Sequence, residues 1–452
     1  MRVVVVGGGI AGLAAARTLE ALVHQVEIVL IERASRLGGV VRTDSIDGFL
    51  VEGGPDSFLS RKPRGVGLCE ELGLDDELVG RRPENARSFV RIGRELHPLP
   101  EGLTGMIPTN LDALEDSSLL STEGKRRLAA EAGLPPEPTG GDESIASFVT
   151  RRLGREAYER LVEPLTTGIY GVDGDRLSLQ ATFPQLRALE LEHGSLLRGL
   201  AAQAPAATTR PPFLSLRGGM EELVHGVAGS LRRTTVRLGA AAVSVRERYA
   251  VELDGGDSIE ADGVVLATPA FATAELLSGL DPELADTLAE IPYSSSAIVT
   301  LGYRRDDVPH PLDGYGYVVP SSEETSVLAC TWTSSKWEGR APDDRALLRV
   351  FLGRHELSQD DGDLVRLARD EVGILGIGAE PVLTRTQRWP RAMPQYVLGH
   401  PERLARIDAA LERHPGLALA GAAYRGVGIP DCIHSGEEAA RAIASSLAGV
   451  RS

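Results

Sequence analysis

The sequence predicts an α/β protein built on a doubly wound, Rossmann-like nucleotide-binding domain whose pieces are scattered along the chain. Three observations carry that expectation. A β-branched run, Arg2 to Val6, leads straight into Gly7-Gly8-Gly9 and then into helix formers from Ala11 to Leu22. A second apolar run, Val26 to Ile31, follows at once and completes a strand–helix–strand unit. Near the end the same order returns, Leu417–Ala422 before Ser435 to Leu447, with helix-rich and strand-rich stretches in between.

At 452 residues the chain exceeds one simple core and should divide into two or three domains. Forty-two per cent apolar and 25 % charged residues is ordinary globular composition. A net charge of −16 argues against a nucleic-acid binder, which needs a basic face. It also makes an anionic membrane a poor docking surface, and an anionic substrate would need a local basic pocket. Cys69, Cys330 and Cys432 form no C-x-x-C pair, which suits neither a zinc site nor a disulfide framework. The opening Met1 to Val6 imitates a signal peptide until Gly7-Gly8-Gly9 breaks the apolar run. The scattered cysteines fit a reducing cytoplasm, and since no run of about 18 apolar residues occurs, no transmembrane helix is expected.

Along the chain, a Pro/Gly/Arg-rich stretch from about 53 to 110 includes a strand candidate at Ser88–Ile92. Residues 110–200 read as helices, with Ala157, Leu161, Val162 and Leu165 on one face and Arg and Glu on the other. Pro135 to Gly141 separates two helical pieces, the second capped by Asp142 or Ser144. Beyond Pro211-Pro212, Val236–Val245 and Tyr249–Leu253 read as paired strands, and Val264–Thr268 as a buried strand stopped by Pro269. Ala297–Tyr303, Gly316–Val319, Val327–Trp332 and Leu347–Leu352 supply further strands.

The chemistry begins at the first turn. Gly7-Gly8-Gly9-Ile10-Ala11-Gly12 is a G-x-G-x-x-G set between a strand and a helix. Gly7 makes the turn, Gly9 lets the backbone approach a pyrophosphate, and Gly12 permits close helix–strand packing. The helix N-terminus offers unpaired N–H groups to the phosphates. Glu32 closes the second strand, where a carboxylate accepts ribose hydroxyls. Arg36-Leu37-Gly38-Gly39, then Val40, follow so soon that they suit a long FAD running past the second strand better than NAD. No second G-x-G-x-x-G occurs: Gly373, Gly376 and Gly378 stand in the wrong order, and Gly426-Val427-Gly428 lacks its third glycine. An oxidase or dehydrogenase that reoxidises on oxygen or another acceptor fits that absence better than an NAD(P)H-dependent reductase.

Further segments carry a resemblance: Gly54-Pro55-Asp56-Ser57-Phe58, Glu163 to Gly171 with Ala181 to Pro184, Arg388 to Tyr396, and Gly421 to Ile433. In this order the set resembles the protoporphyrinogen/coproporphyrinogen oxidases of haem biosynthesis, within the flavin amine-oxidase-like superfamily, over the whole chain. The Pro-Asp-Ser-Phe and Gly-Ile-Pro-Asp-Cys-Ile wording is closer to the soluble branch that uses coproporphyrinogen III. The resemblance implies a doubly wound FAD domain, a mixed-sheet substrate domain and a helical insertion. The expected division is 1–85, 211–275 and 406–452 for FAD, 86–210 for the insertion and 276–405 for substrate. It further implies flavin contacts at Gly7 to Gly12, Glu32, Arg33, Arg36, Gly39, Val40 and Gly54 to Ser57. Val243 would meet the adenine end, Trp389 the isoalloxazine, and Val427, Gly428 and Ile429 the flavin beside the last helix.

The implied reaction is a six-electron oxidation in three steps, each passing a hydride from a bridge carbon while a pyrrole N–H releases its proton. Because the pyrroles drive it, no catalytic side chain is expected, and no metal. His97, His193, His225, His355 and His400 read as surface or satisfied polar residues. Arg61 and Lys62 are the expected partners of substrate propionates, with a solvated basic turn as the plain alternative. Protoporphyrinogen IX oxidase is the nearest alternative activity. An amine oxidase or carotenoid desaturase, or a flavin-binding redox sensor without turnover, also shares the opening motif.

Overall fold

The computed structural model describes residues 1–449 except 105, 109, 138–140, 172, 203–209, 354–356 and 358–359. His355 and part of the 135–141 break therefore lie outside the described residues. A parallel sheet of five strands runs in the order Thr234–Leu238, Glu27–Glu32, Arg2–Val6, Gly263–Leu266, Leu417–Leu419. Its central strand is covered on both faces, with Val3, Val4 and Val5 fully buried. That is why it reads as an unbroken apolar run rather than an alternating one. Helices Ile10–Leu22, Glu221–Ser230 and Ile429–Gly449 cover one face. A small antiparallel sheet and helices Ala270–Leu277, Pro282–Ala289 and His400–Leu411 cover the other. The doubly wound domain is thus gathered from the beginning, middle and end of the chain.

One expected strand is two. Val236–Val245 breaks at Gly239, which turns through φ 66°. Thr234–Leu238 edges the parallel sheet, whereas Ala242–Val245 pairs with Val251–Leu253 in the small sheet.

A second core lies in a mixed sheet of seven strands, in the order Leu383–Pro394, Tyr293–Arg304, Arg345–Leu352, Val327–Trp332, Gly316–Val318, Phe89–Ile92, Glu95–Pro98. Neighbours are antiparallel except Gly316–Val318 with Phe89–Ile92. A limit at residue 86 puts the Phe89–Pro98 hairpin with the helical insertion, yet its hydrogen bonds join it to this sheet. We propose that the substrate domain includes it.

The helical insertion has its own core, from Met106 to Leu197. Ser144 caps helix Ile145–Leu153 by accepting from Ser147 N at 3.1 Å, while Asp142 accepts from Ser178 Oγ and Gly399 N instead. The expected apolar stripe is found, with Ala157, Leu161 and Val162 buried and Leu165 packed against the core, and a π-turn at Tyr158–Val162 brings the next residue inward as well. Glu163 consequently points inward, where Thr167 Oγ1 donates to it at 2.7 Å and Ser321 N at 3.1 Å. Among the described residues no helix is long and apolar enough to cross a membrane.

Candidate active site

The turn from Val6 to Ile10 is built for close approach. A Cβ on Gly12 would stand 1.9 Å from the Gly7 carbonyl oxygen, so only glycine lets the opening helix lie this near the sheet. A Cβ on Gly9 would meet nothing within 4 Å, which leaves open space in front of the helix. No side chain caps that helix and no acidic residue stands in its first turn, so its positive end faces outward unneutralised. Glu32 is oriented beside it by Gly8 N at 2.7 Å and Ala34 N at 2.8 Å.

Arg36 holds the next loop. Its guanidinium donates to the carbonyls of Leu37, Gly39 and Val41 and pairs with Glu221 at 3.2 Å. Gly38 N closes on Gly8 O at 2.8 Å, so the second glycine pair is stapled to the first. Val40 is left 43 % exposed and Val243 49 % exposed, large apolar side chains that the chain itself does not cover. Arg33 is exposed as well. Open space, free helix amides, an oriented carboxylate and uncovered apolar contacts together fit a flavin cofactor.

Gly53 to Ser57 passes beside this loop, and a Cβ on Gly54 would lie 1.9 Å from Val40 O. Below it is a buried group of charges. Asp56 accepts from Lys336 Nζ at 2.8 Å, Trp337 Nε1 at 3.1 Å and Ser57 Oγ at 2.8 Å. Arg349, 1 % exposed, donates to Gly54 O at 2.6 Å and stands 3.7 Å from Asp56. Burial alone would raise the Asp56 carboxyl, but Lys336 and Arg349 outweigh it and hold the group well below the usual carboxylate range. Its stabilising contribution is therefore present above a pH of about 4 and is lost as pH falls. Thermal melts between neutral and acid pH should show wild-type stability dropping in acid, whereas Asp56→Asn starts lower and drops less. Parallel curves for the two proteins would remove this role.

The distant motifs meet at the same place. Trp389 Nε1 donates to Gly53 O at 2.6 Å. The indole is aimed there by a bulge in strand Leu383–Pro394, where Pro390 is tolerated and Arg391 takes φ 47°. Tyr396, buried and stacked on His400 at 4.2 Å, donates to Ala422 O and accepts from Gly426 N, both at 2.7 Å. Gln395 Nε2 donates to Tyr170 O at 2.7 Å. The segments around 170, 390 and 425 are thus bonded to one another. Nothing local in the sequence marks Tyr396 or Gln395 as site residues, because their partners lie far along the chain.

Burial first of all pushes the phenols of Tyr170, Tyr396 and Tyr424 up, so they stay protonated near neutrality. Among the described residues, no three His, Cys, Asp or Glu are grouped to hold a metal ion. The thiols of Cys69 and Cys432 are pushed up by burial to about 12, which makes them unreactive. Arg61 is exposed and pairs with no carboxylate among the described residues. Lys62 does have a partner: its Nζ stands 2.5 Å from Asp431.

The model of the family described as flavin containing amine oxidoreductase matches residues 10–444. The chain is 36 % identical to the coproporphyrinogen III oxidase of Bacillus subtilis, across 97 % of this chain and 96 % of that one. It is also 36 % identical to the coproporphyrinogen III oxidase of Propionibacterium freudenreichii, across 96 % and 90 %. Its fold matches the crystal structure of a provisionally named protoporphyrinogen oxidase from Exiguobacterium sp. 255-15 with a TM-score of 0.87 and 34 % identity, covering 98 % of each chain.

Proposed function

The chain belongs to the flavin containing amine oxidoreductase family, and from that premise we propose that it is a FAD-dependent coproporphyrinogen III oxidase of haem biosynthesis. The observation that carries the reading is likeness along nearly the whole length to relatives of that name. FAD, rather than a shorter flavin, is supported by the pairing of a pyrophosphate turn at Gly7–Gly12 with an oriented ribose acid at Glu32.

Bound FAD accepts two electrons at a time, so three reductions and three reoxidations, with oxygen as acceptor, complete each porphyrin. The chain supplies position and field. Gly7, Gly8, Gly9, Ile10, Ala11 and Gly12 receive the diphosphate, Glu32 and Arg33 border the ribose, and Val40 and Val243 cover apolar surface. Arg36 and Gly39 keep the adjoining loop in place. Gly54, Pro55, Asp56 and Ser57, with Trp389 bonded to the same segment, would line the flavin, and Val427, Gly428 and Ile429 would meet it at the start of the final helix. No protein base is required, because the pyrrole nitrogens release their own protons. Arg61 is the side chain we assign to a substrate propionate. A cytoplasmic location suits a substrate with four carboxylates.

Mixing the flavin-loaded protein with each porphyrinogen and following red fluorescence tests the assignment. Coproporphyrinogen III should be turned over with a kcat/KM about tenfold higher or more, since each charge-assisted contact to a carboxylate is worth about 1.5–3 kcal/mol. Faster turnover of protoporphyrinogen IX would assign the other porphyrinogen. Oxidation of a polyamine without porphyrin fluorescence would assign an amine oxidase.

A further inference from the structure

We infer that Lys62 and Asp431 form an opposed pair of charges beside the bound flavin, each offsetting the other's effect on its reduction potential. The inference rests on the reading that the turn Val427–Ile429 faces the flavin.

Lys62 immediately precedes helix Pro63–Glu71, five residues past Ser57, and Asp431 lies in the first turn of the final helix, Ile429–Gly449. The Asp431 oxygen that meets Lys62 Nζ at 2.5 Å also accepts from Gly428 N at 3.1 Å. The carboxylate is therefore folded back over the turn. Gly426 makes this possible: it holds φ 138°, and a Cβ there would stand 2.4 Å from Asp431 Cγ. The Asp431 side chain is 17 % exposed and that of Lys62 39 %. A sheltered negative charge thus sits against the flavin-facing turn, and a cation from the chain segment next to Gly54–Ser57 offsets it. That field reaches the neighbouring wall, where burial first and Asp431 second push the Tyr170 phenol up.

Electron uptake adds negative charge to a flavin. A fixed anion beside it opposes reduction, and a fixed cation favours it. As a pair the two nearly cancel, so each has a large effect only when its partner is gone. Lys62→Met should lower the midpoint potential and Asp431→Asn should raise it. Each change should be about tenfold in the reduction equilibrium, about 30 mV for a two-electron couple. The double variant should return close to wild type, and Lys62→Arg should stay there. A merely structural role cannot produce shifts of opposite sign that cancel.

The experiment is a spectroelectrochemical titration of the flavin-loaded, substrate-free proteins. Opposite shifts that cancel in the double variant support the pair. Shifts of one sign, or unchanged potentials in variants that remain yellow, overturn it and leave flavin binding intact. If Asp431→Asn releases its flavin, Lys62→Met against Lys62→Arg decides, and a Lys62→Met potential at or above wild type overturns the inference. An unchanged potential with a raised KM for a tetracarboxylate would also overturn it, returning Lys62 to the substrate.

Discussion

Gly12→Ala should yield a colourless, destabilised protein. The added methyl would lie 1.9 Å from Gly7 O and 3.2 Å from the Ala267 side chain. The closest atom is backbone of the turn that leaves the central strand, so the helix Ile10–Leu22 must lift rather than a side chain swing aside. Overpacking of this kind costs about 1–3 kcal/mol, and the lifted helix no longer aims its first amides where Gly9 leaves room. Gly9→Ala is the informative contrast. Its methyl meets no protein atom within 4 Å and its backbone, at φ −71°, accepts alanine. That variant should melt like wild type and still take up flavin poorly, because the methyl occupies the approach to the diphosphate. Visible absorbance after reconstitution and a thermal melt on each variant separate the two effects. Equal flavin content in Gly9→Ala and wild type would refute the placement of the diphosphate.

Arg349→Met should be the most destabilising single change below the site. Arg349 is the buried donor to Gly54 O and one of the cations around Asp56, and it also offsets Glu52, whose carboxyl burial pushes up. Removing one partner of a buried ionic group costs about 3–5 kcal/mol, because the remaining charge stays in a poor solvent. Arg349→Lys should recover only part of the loss, since a point charge cannot reach both Gly54 and Asp56 as a planar fork does. Urea midpoints for the three proteins check the order wild type, Arg349→Lys, Arg349→Met. A Met variant within about 1 kcal/mol of wild type would mean that Lys336 and Arg340 balance the two carboxylates without it.

Much of this was readable because the opening motif is local. What Gly7, Gly9 and Gly12 must do is settled within one turn, and Glu32 follows one strand later. Strands of the substrate domain, such as Val327–Trp332, announce themselves by buried β-branched and aromatic residues. One misreading has an equally local cause. Val236–Val245 looks continuous until Gly239 turns it, and the stripe around Leu161, buried as expected, gives no sign of the π-turn within it. The inward contact of Glu163 has no local signal, because nothing nearby in sequence foretells Ser321. The charges under Gly54 were out of reach for the same reason: Asp56 meets Lys336, Trp337 and Arg349 only after the chain has closed on itself.

The parallel sheet joins a strand at residues 2–6 to one at 263–266 and, beyond that, to one at 417–419. On a ribosome, the first strand meets its neighbour Glu27–Glu32 early but waits for residues 263–266 before its other side can pair, and the helix that caps the arrangement, Ile429–Gly449, comes later still. Contacts so far apart in sequence make assembly slow and leave apolar strand edges uncovered in the meantime. The helical insertion draws its core from nearby residues and can mature first, as an early-finished module around which the rest is wound. Nascent chains stalled short of the last helix should for that reason depend on chaperones, and released full-length chains should not.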